Sequence, residues 1–283
     1  MKLAVCFFGN LGWYYDSNKI KKELGSNFLK KTMDQISNFN DDTKFFGHLW
    51  SSEVNDQLKS LAFEELLIEN QKTFTVEEDF IKNYTFGNKL KYKIYLKRRF
   101  GSDKSGMKEY ASRVKSRWYS TKSSLFLAEK YSKKNKVEFD HILVLRYDLV
   151  LSPSFKLPTV KNNVFLGDSA NYRFHRFSIK IPILLKIIDK IPLPKSYHVQ
   201  VNTFKYLLSS FVNYIHVSDT WIYGNYNSVL KLTELYNDFE KYHMSPHIGL
   251  WEFLKNNDLA TTFLNEQGID YDLYRFKIND SCF

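Results

Sequence analysis

One apolar run, HILVLRYDLVL at residues 141–151, constrains the fold of this chain more than any other segment. Its aliphatic and β-branched side chains predict a strand that is buried on both faces of a sheet. Only Arg146 and Asp148, on either side of Tyr147, break the run, and the two-residue period of a strand directs both to one face. Burying an arginine and an aspartate is costly unless they pair or bind something. At the carboxyl end of a central strand we expect a ligand site, with a structural Arg–Asp ion pair as the alternative.

Length and composition fit one large α/β domain or two small ones, in a reducing compartment. The chain has 283 residues, and 43% of them are apolar, which suffices for a sizeable core. Only 11 glycines and 6 prolines argue against an all-β sandwich with many tight turns. Cys6 and Cys282 lie near opposite ends, so no disulfide framework is expected. No signal peptide and no bilayer-spanning run are predicted, so we expect a cytoplasmic protein, whose basic segments allow peripheral contact with the inner membrane face.

The amino-terminal part alternates strand and helix patterns. Residues 3–8 form an apolar run that ends at Gly9-Asn10, which predicts a buried strand and a turn where a nucleotide can approach the backbone closely. A helical pattern then runs to residue 36, the strand TKFFGHLW covers 43–50, and a helix through 61–68 is predicted. This alternation predicts the start of an α/β sheet, with right-handed crossovers.

Positive charge is concentrated in the middle of the chain. The net charge is +10, and between Lys89 and Lys122 there are twelve Lys or Arg residues and only two acidic residues. Such a field attracts nucleic acid, an anionic membrane surface or the phosphates of a nucleotide. We interpret residues 70–108 as a basic helical insert, with a solvated lysine face over aromatic side chains as the alternative.

The clearest helical pattern runs from Glu109 to Lys134, with apolar side chains at steps of three and four residues. Its basic residues Arg113, Arg117 and Lys122 are expected to lie near one another along one side of the helix.

The later part of the chain predicts shorter elements. Strands are expected at 162–166 and 271–276, and a further strand over 213–216 and 219–223 has a charged break at Asp219. Helices are expected at 229–242 and around 250–254. The proline-bounded stretch 177–193 predicts a packed helix, with a membrane-surface helix as the alternative. The sequence shows no repeat, low-complexity tract or linker, so one domain over residues 1–283 is expected.

The order of these motifs resembles the GT-A-type glycosyltransferases of bacterial and viral surface-polysaccharide gene sets. The matching stretches are AVCFFGNLG, FFGHLW, SRWYSTKSSLFLAEKY, LVLRYDLVL, SDTWIYG and SPHIGLWEFL. The R-x-D element within LVLRYDLVL is the most specific of them. The other stretches are short, and they support the resemblance by their order, which covers most of the chain. The resemblance implies a single GT-A-like, Rossmann-like α/β domain with a mixed, mostly parallel central sheet flanked by helices. It also implies transfer of a sugar from a nucleotide-diphosphate sugar to a hydroxyl of a surface glycan or glycolipid, such as capsule or lipopolysaccharide, with no nucleic-acid partner.

The metal site implied by the resemblance departs from the usual pattern. The GT-A signature is Asp-x-Asp, and Arg146 stands in place of its first aspartate. Asp148, with His247 as a further candidate ligand, would then hold Mn²⁺ or Mg²⁺ together with the donor's phosphates. Alternatively, Arg146 neutralises the diphosphate itself, and a metal becomes less necessary. A lone histidine near a helix start, such as His247, is otherwise structural.

The resemblance also implies which residues contact the donor. The leaving nucleoside diphosphate carries developing negative charge, which basic side chains and a metal-bound carboxylate can stabilise. The turn after the first strand would contact the nucleotide. The donor-binding candidates are Gly9, Asn10, Arg113, Arg117, Lys122, Arg146 and Asp148.

The acceptor hydroxyl needs a base if the transfer inverts the sugar's configuration. Asp219 is the expected catalytic residue, because it interrupts an apolar strand late in the chain. The alternative is an aspartate that caps a turn or a helix.

Two other functions stay open at the level of sequence. Another nucleotide-dependent group transferase, such as a sulfo- or phosphoryl transferase, is disfavoured by the lack of a Gly-rich phosphate loop with its Lys-Ser/Thr. A nucleic-acid- or membrane-surface-binding protein without catalysis would use the basic aromatic segment. Such a protein would need neither Asp148 nor Asp219.

Overall fold

The structure is a computed structural model that describes residues 1–9, 19–50, 56–76, 100, 102–147, 149–151, 157, 164–166, 221–242, 244–259, 261–263 and 271–273. Several sequence predictions concern residues outside these ranges. They are the roles of Asn10, Asp148 and Asp219, residues 77–99 of the basic insert, and the proline-bounded stretch 177–193.

The described residues form nine strands and six helices, with one further 3₁₀ turn at Phe239–Lys241. The strands are β1 (Leu3–Phe8), β2 (Thr43–Trp50), β3 (Glu65–Glu69), β4 (His141–Arg146), β5 (Leu149–Leu151), β6 (Val164–Leu166), β7 (Trp221–Asn225), β8 (Thr261–Phe263) and β9 (Tyr271–Leu273). The helices are α1 (Lys19–Phe39), α2 (Asp56–Lys59), α3 (Lys104–Asn135), α4 (Tyr226–Leu230), α5 (Leu232–Asn237) and α6 (Pro246–Asn256).

Seven strands form one sheet in the order β3-β2-β1-β4-β7-β6-β8. β1 pairs in parallel with β2 on one side and with β4 on the other. β7 runs antiparallel to both of its neighbours, β4 and β6. A second, two-stranded sheet joins β5 to β9. The expected α/β class, with a mixed, mostly parallel sheet flanked by helices, is confirmed.

Alternate residues of β1 face two different hydrophobic layers. Cys6 and Phe8 lie in the layer that α3 covers, whereas Val5 and Phe7 lie in the layer that α1 covers. Every residue of β1 is buried. Because a strand between two helical layers has no solvent-facing side, its sequence is a continuous apolar run rather than an alternating one.

Helix α3 spans the sheet on one face and positions most of the polar groups discussed below. Its 32 residues extend about 48 Å. The Asp103 side chain caps its first turn by accepting from the Gly106 amide at 2.9 Å. The helix thus begins five residues before the predicted start at Glu109, and residues 104–108 belong to it rather than to the predicted insert.

Residues 65–69 form strand β3, so the predicted helix through 61–68 is wrong. The short helix α2 precedes this strand, and β3 then pairs in parallel with β2, with Leu66 opposite Gly47 and Ile68 opposite Leu49. A short apolar stretch such as Leu66-Leu67-Ile68 fits the pattern of a helix or of a strand. Pairing with the open edge of β2 decides for the strand.

The run at 141–151 is divided between two sheets, so the prediction of one continuous strand is also wrong. β4 ends at Arg146, and β5 begins at Leu149 with β9 as its partner. Between them the Tyr147 amide donates to the Phe8 carbonyl at 3.1 Å, and the buried Tyr147 ring stacks on Phe7 with 5.5 Å between ring centroids. These contacts anchor the chain where it leaves the large sheet.

The later elements follow the predicted order with shifted bounds. β6 and β7 replace the strands expected at 162–166 and 219–223, and α6 forms where a helix was expected around 250–254. The helix expected at 229–242 is divided into α4, α5 and the 3₁₀ turn. None of the helices in the described ranges is long and apolar enough to cross a membrane.

The packing of Tyr147 against β2 can be tested with Gly47→Ala. A Cβ on Gly47 would overlap the Tyr147 hydroxyl and crowd Phe63 and Leu66. Overpacking of a core costs about 1–3 kcal/mol, so we expect this variant to lower the free energy of unfolding, measured in urea, by that amount.

Tyr147→Phe provides the matched control, because it removes the hydroxyl that the new methyl group meets. In the double variant, Gly47→Ala should cost less than it does alone, since residues in contact do not act additively. Strictly additive costs would contradict the described packing.

Candidate functional site

The strand order of the large sheet reverses between β1 and β4. From β1 the chain builds to β2 and β3 on one side, and it later returns to place β4 on the other side. Ligands of open α/β sheets bind outside the carboxyl ends of the strands at such a reversal. β1 ends at Phe8 and β4 ends at Arg146, and these two residues are register partners. We call the α3-covered side of this end of the sheet the carboxyl edge.

Gly9 begins the turn that follows β1 at this edge. Its φ is +94°, a conformation that residues with a side chain rarely adopt. A Cβ built on Gly9 would meet no described atom within 4 Å. Its amide donates a hydrogen bond to Ser120 Oγ on α3 at 3.1 Å. The turn is therefore tied to α3, and none of the described atoms fills the space beside its Cα.

Ser120 connects the Gly9 amide to a buried histidine and a carboxylate. Ser120 Oγ lies 2.9 Å from Nδ1 of His48, and His48 Nε2 lies 3.2 Å from Glu69 Oε2. An ionised carboxylate only accepts hydrogen bonds, so Nε2 carries the proton and donates to Glu69. Nδ1 then accepts from the Ser120 hydroxyl, whose oxygen accepts from Gly9. We call these four residues the Gly9 relay.

The burial of His48 sets its charge. Desolvation lowers the pKa of the His48 imidazole below its ordinary value, and the hydrogen bond and charge of Glu69 oppose this effect only in part. His48 is therefore neutral at pH 7, in agreement with the tautomer that the hydrogen bonds require.

Glu69 ends the relay as an ionised group held by three donors. Burial alone would raise the pKa of Glu69, but hydrogen bonds from Tyr119, Lys72 and His48 outweigh it and leave that pKa below its usual value. Tyr119 Oη donates to Glu69 Oε2 at 2.7 Å, and Lys72 Nζ lies 2.9 Å from Oε1. Lys72 also donates to the Tyr119 hydroxyl, and its hydrogen bonds to Tyr119 and Glu69 raise the pKa of Lys72.

Two arginines bring positive charge to the carboxyl edge. The guanidinium of Arg117 lies 5.1 Å from the centre of the Phe8 ring, a cation–π contact that holds it over the end of β1. In β4, Ile142 and Val144 face the α3-covered layer, so the strand period places Arg146 on the same side. Guanidinium groups match the paired oxygens of phosphate.

Lys122 does not join these arginines. It follows Arg117 by five residues, which places it about 140° around the helix. Its ammonium donates to Asn237 Oδ1 at 2.8 Å and lies 5.1 Å from the centre of the Tyr236 ring. The prediction that the three basic residues share one side of the helix is therefore wrong for Lys122, which supports the packing of α5 instead.

The remaining predicted site residues are placed as follows. Arg113 is exposed and forms an ion pair with Glu109 at 3.7 Å. His247 is half-buried in the first turn of α6. β7 begins beside the carboxyl end of β4, because its first residue, Trp221, pairs with Leu145. Asp219 precedes Trp221 by two residues, and its role stays a prediction, as do those of Asn10 and Asp148.

Sequence reasoning does not single out His48 or Ser120. The available signal is a histidine inside an otherwise apolar strand, since a buried polar side chain requires a partner. That partner cannot be chosen from sequence, because α3 carries five serines between Ser112 and Ser124. Only the placement of the helix on the sheet brings Ser120 to His48, 72 residues away along the chain.

The relay has the order serine, histidine, carboxylate, which is also that of a hydrolytic triad. A nucleophile must reach its substrate, however, and Ser120 is only 1% exposed, with its oxygen facing the Gly9 amide. The relay therefore supports the Gly9 turn and does not attack a substrate.

The described side chains do not by themselves make a metal site. Among the residues that the structure describes, no group of three or more His, Cys, Asp or Glu side chains could hold an ion. Mn²⁺ and Mg²⁺ prefer carboxylate oxygens, whereas the arginines at the carboxyl edge are cations and Glu69 is held by its three donors. The metal role of Asp148 and His247 stays a prediction.

No model of a known protein family matches this chain, and no curated protein is significantly similar to it. The assignment of a function therefore depends on the geometry and charge of the carboxyl edge.

The lowered pKa of His48 predicts that acid destabilises the fold. The unfolded chain takes up a proton at His48 near pH 6.5, whereas the folded protein takes it up only at lower pH. The unfolded state thus binds more protons, and stability falls as the pH drops below about 6.5. We expect urea denaturation to show this loss in the wild-type protein.

His48→Gln is the control, because glutamine can donate and accept hydrogen bonds but does not titrate. The free energy of unfolding of this variant should fall less between about pH 7 and about pH 5. Identical pH dependences would contradict the assignment of a depressed pKa to His48.

Proposed function

We propose that this protein is a cytoplasmic GT-A-type glycosyltransferase that moves a sugar from a nucleotide-diphosphate sugar to a hydroxyl of a surface glycan or glycolipid. The observation that carries the proposal is the pair of arginines, Arg117 and Arg146, beside the Gly9 turn at the reversal of strand order. The motif order described above supports the same activity.

The carboxyl edge suits a diphosphate for three reasons. A phosphate binds where guanidinium groups can offer paired donors, and Arg117 and Arg146 lie on the same side of the sheet. The open approach beside Gly9 lets a flat nucleotide base or a ribose lie against the backbone. The position between β1 and β4 is the one at which open α/β sheets bind such ligands.

The arginines would also favour the chemical step. As the bond between the sugar and the diphosphate breaks, negative charge grows on the leaving phosphate oxygens. Fixed cations at that point stabilise the transition state more than the ground state. A divalent metal held by Asp148 would add to this stabilisation and is a separate expectation.

Asp219 is the proposed base for the acceptor hydroxyl. β7 begins two residues later and enters the sheet at the carboxyl edge, beside the end of β4. A carboxylate that reaches the acceptor from this direction would accept its proton while the sugar carbon is attacked.

Donor binding can be tested by thermal unfolding against a panel of nucleotide-diphosphate sugars, with and without manganese. A donor present at about 100 times its dissociation constant should stabilise the wild-type protein by about 2.7 kcal/mol. Arg117→Gln and Arg146→Gln should each weaken binding about 10- to 100-fold, since a hydrogen bond to a charged group contributes about 1.5–3 kcal/mol.

Lys133→Gln is the matched control for lost charge. Lys133 lies on the same helix as Arg117, is exposed, and pairs with Glu129. It should bind the donor as the wild type does. The proposal would be overturned if no nucleotide sugar stabilised the protein, or if all three substitutions weakened binding equally.

Comparing the transfer rate with the donor's dissociation constant distinguishes a general base from a residue that binds the donor. Asp219→Asn should lower the transfer rate about 10²- to 10⁴-fold, the usual contribution of a general base, and leave the donor's dissociation constant nearly unchanged. Asp34→Asn, at an exposed aspartate that pairs with Lys30 on α1, should retain full activity. Equal loss in both variants, or loss of donor binding in Asp219→Asn, would contradict the role of Asp219.

A binding protein without catalysis predicts a different outcome of the same experiments. Salt-sensitive stabilisation by RNA, DNA or anionic lipid, with none by nucleotide sugars, would favour that function and the basic insert as its site.

A further inference from the structure

The Gly9 relay leads from the proposed donor site to an ionisable imidazole that the transfer reaction itself does not use. We propose that Ser120 and His48 are positioning residues that hold the Gly9 turn in its ligand-accepting conformation, and that protonation of His48 releases this turn. The inference rests on the proposed function only for the identity of the ligand.

The conformation of Gly9 depends on an external contact. Glycine adopts positive and negative φ about equally readily, so the backbone alone does not fix the φ of +94°. The hydrogen bond from the Gly9 amide to Ser120 Oγ ties the turn to α3. On the preceding residue, the Phe8 carbonyl accepts from the Tyr147 amide and fixes the end of β1. The Ser120 side chain therefore holds the amide of Gly9, the first residue of the turn, in place.

The orientation of the Ser120 hydroxyl depends in turn on the proton at His48. With neutral His48, the hydroxyl donates to Nδ1, and its oxygen faces the Gly9 amide as an acceptor. Protonation makes Nδ1 a donor, so the Ser120 hydrogen must turn to another acceptor. A buried serine on a helix can then donate to a carbonyl of the preceding turn. The Ser120 oxygen would accept from the protonated Nδ1 and from the Gly9 amide at the same time, and the second donor weakens the bond to Gly9.

The groups that face His48 place this change on the acid side of neutrality. Glu69 on β3 attracts the proton, whereas Lys72 in the segment after β3 opposes it, and Tyr119 on α3 shares Glu69 with both. Burial outweighs the attraction of Glu69, so the pKa of His48 lies below the ordinary value of about 6.5.

The Gly9 amide can be observed directly by NMR. The chain has 11 glycines, so ¹⁵N-glycine labelling gives a small set of signals in which Gly9 can be followed without any ligand. We expect the wild-type Gly9 signal to titrate below about pH 6.5. In Ser120→Ala the signal should be displaced at every pH.

Ser124→Ala is the matched control. Ser124 is equally buried on the same helix, but its hydroxyl donates to the Thr121 carbonyl within the helix. It should leave the Gly9 signal and its titration unchanged. Ser120→Thr keeps the hydroxyl and should restore the wild-type signal, which distinguishes a lost hydrogen bond from a general disturbance of α3.

His48→Asn tests whether protonation of His48 causes the pH response of the Gly9 signal. Its side-chain oxygen can accept from Ser120 but does not titrate, so Gly9 should keep its neutral-pH signal at low pH. The inference is overturned if wild-type Gly9 does not respond to pH, if His48→Asn titrates as the wild type does, or if Ser120→Ala and Ser124→Ala behave alike.

Ligand binding distinguishes this inference from the proposed function. A nucleoside diphosphate should bind about tenfold more weakly to Ser120→Ala than to the wild type and Ser124→Ala. Equal affinity for Ser120→Ala would overturn the positioning role while the donor site stands. If no nucleoside diphosphate binds the wild type, the proposed function fails, and the Gly9 signal alone decides whether the relay works as a proton-controlled support.

Discussion

Strand β1 is buried on both faces and paired on both sides by parallel strands, and this constraint fixes the position of the candidate site. β2 pairs with one side of β1 and β4 pairs with the other side. The strand order therefore reverses between β1 and β4, and their carboxyl ends lie side by side at this reversal. Gly9 and Arg146 occupy these positions, and α3 crosses above them with Arg117. The architecture of the core and the location of the candidate site therefore have the same physical origin.

Charge is divided at the carboxyl edge between a supporting part and a binding part. The supporting part is the relay, in which His48 stays neutral and each polar atom has a partner; a buried network of this kind is stable only when it is fully satisfied. The proposed binding part consists of Arg117, whose guanidinium lies over the Phe8 ring, and Arg146, the register partner of Phe8. A site for an anion needs both, because cations attract phosphate from a distance whereas a fixed backbone determines how the ligand lies.

Patterns that depend on burial could be predicted from the sequence, and patterns that depend on a partner could not. The stretches at 3–8 and 43–50 became β1 and β2 with the predicted bounds. Burial on both faces makes the first a continuous apolar run and leaves the second apolar except at its start and at Gly47 and His48. Residues 61–68 fit two periods, and only pairing with β2 made part of them a strand. Lys122 lies on a different side of α3 from Arg117 because five residues turn a helix by about 140°. This separation could be read from the sequence once the helix was assigned. The contact between His48 and Ser120 needs the placement of α3 on the sheet, which no local pattern contains.

The most direct test of the account is a titration of ¹⁵N-glycine-labelled protein with nucleoside diphosphates at neutral pH. The account predicts that one of them shifts the Gly9 signal in a saturable way and leaves Gly106, in the first turn of α3, unchanged. Arg146→Gln should need a higher concentration for the same shift. Binding that moves other glycines but not Gly9, or no binding by any nucleoside diphosphate, would contradict the placement of a donor site at the carboxyl edge.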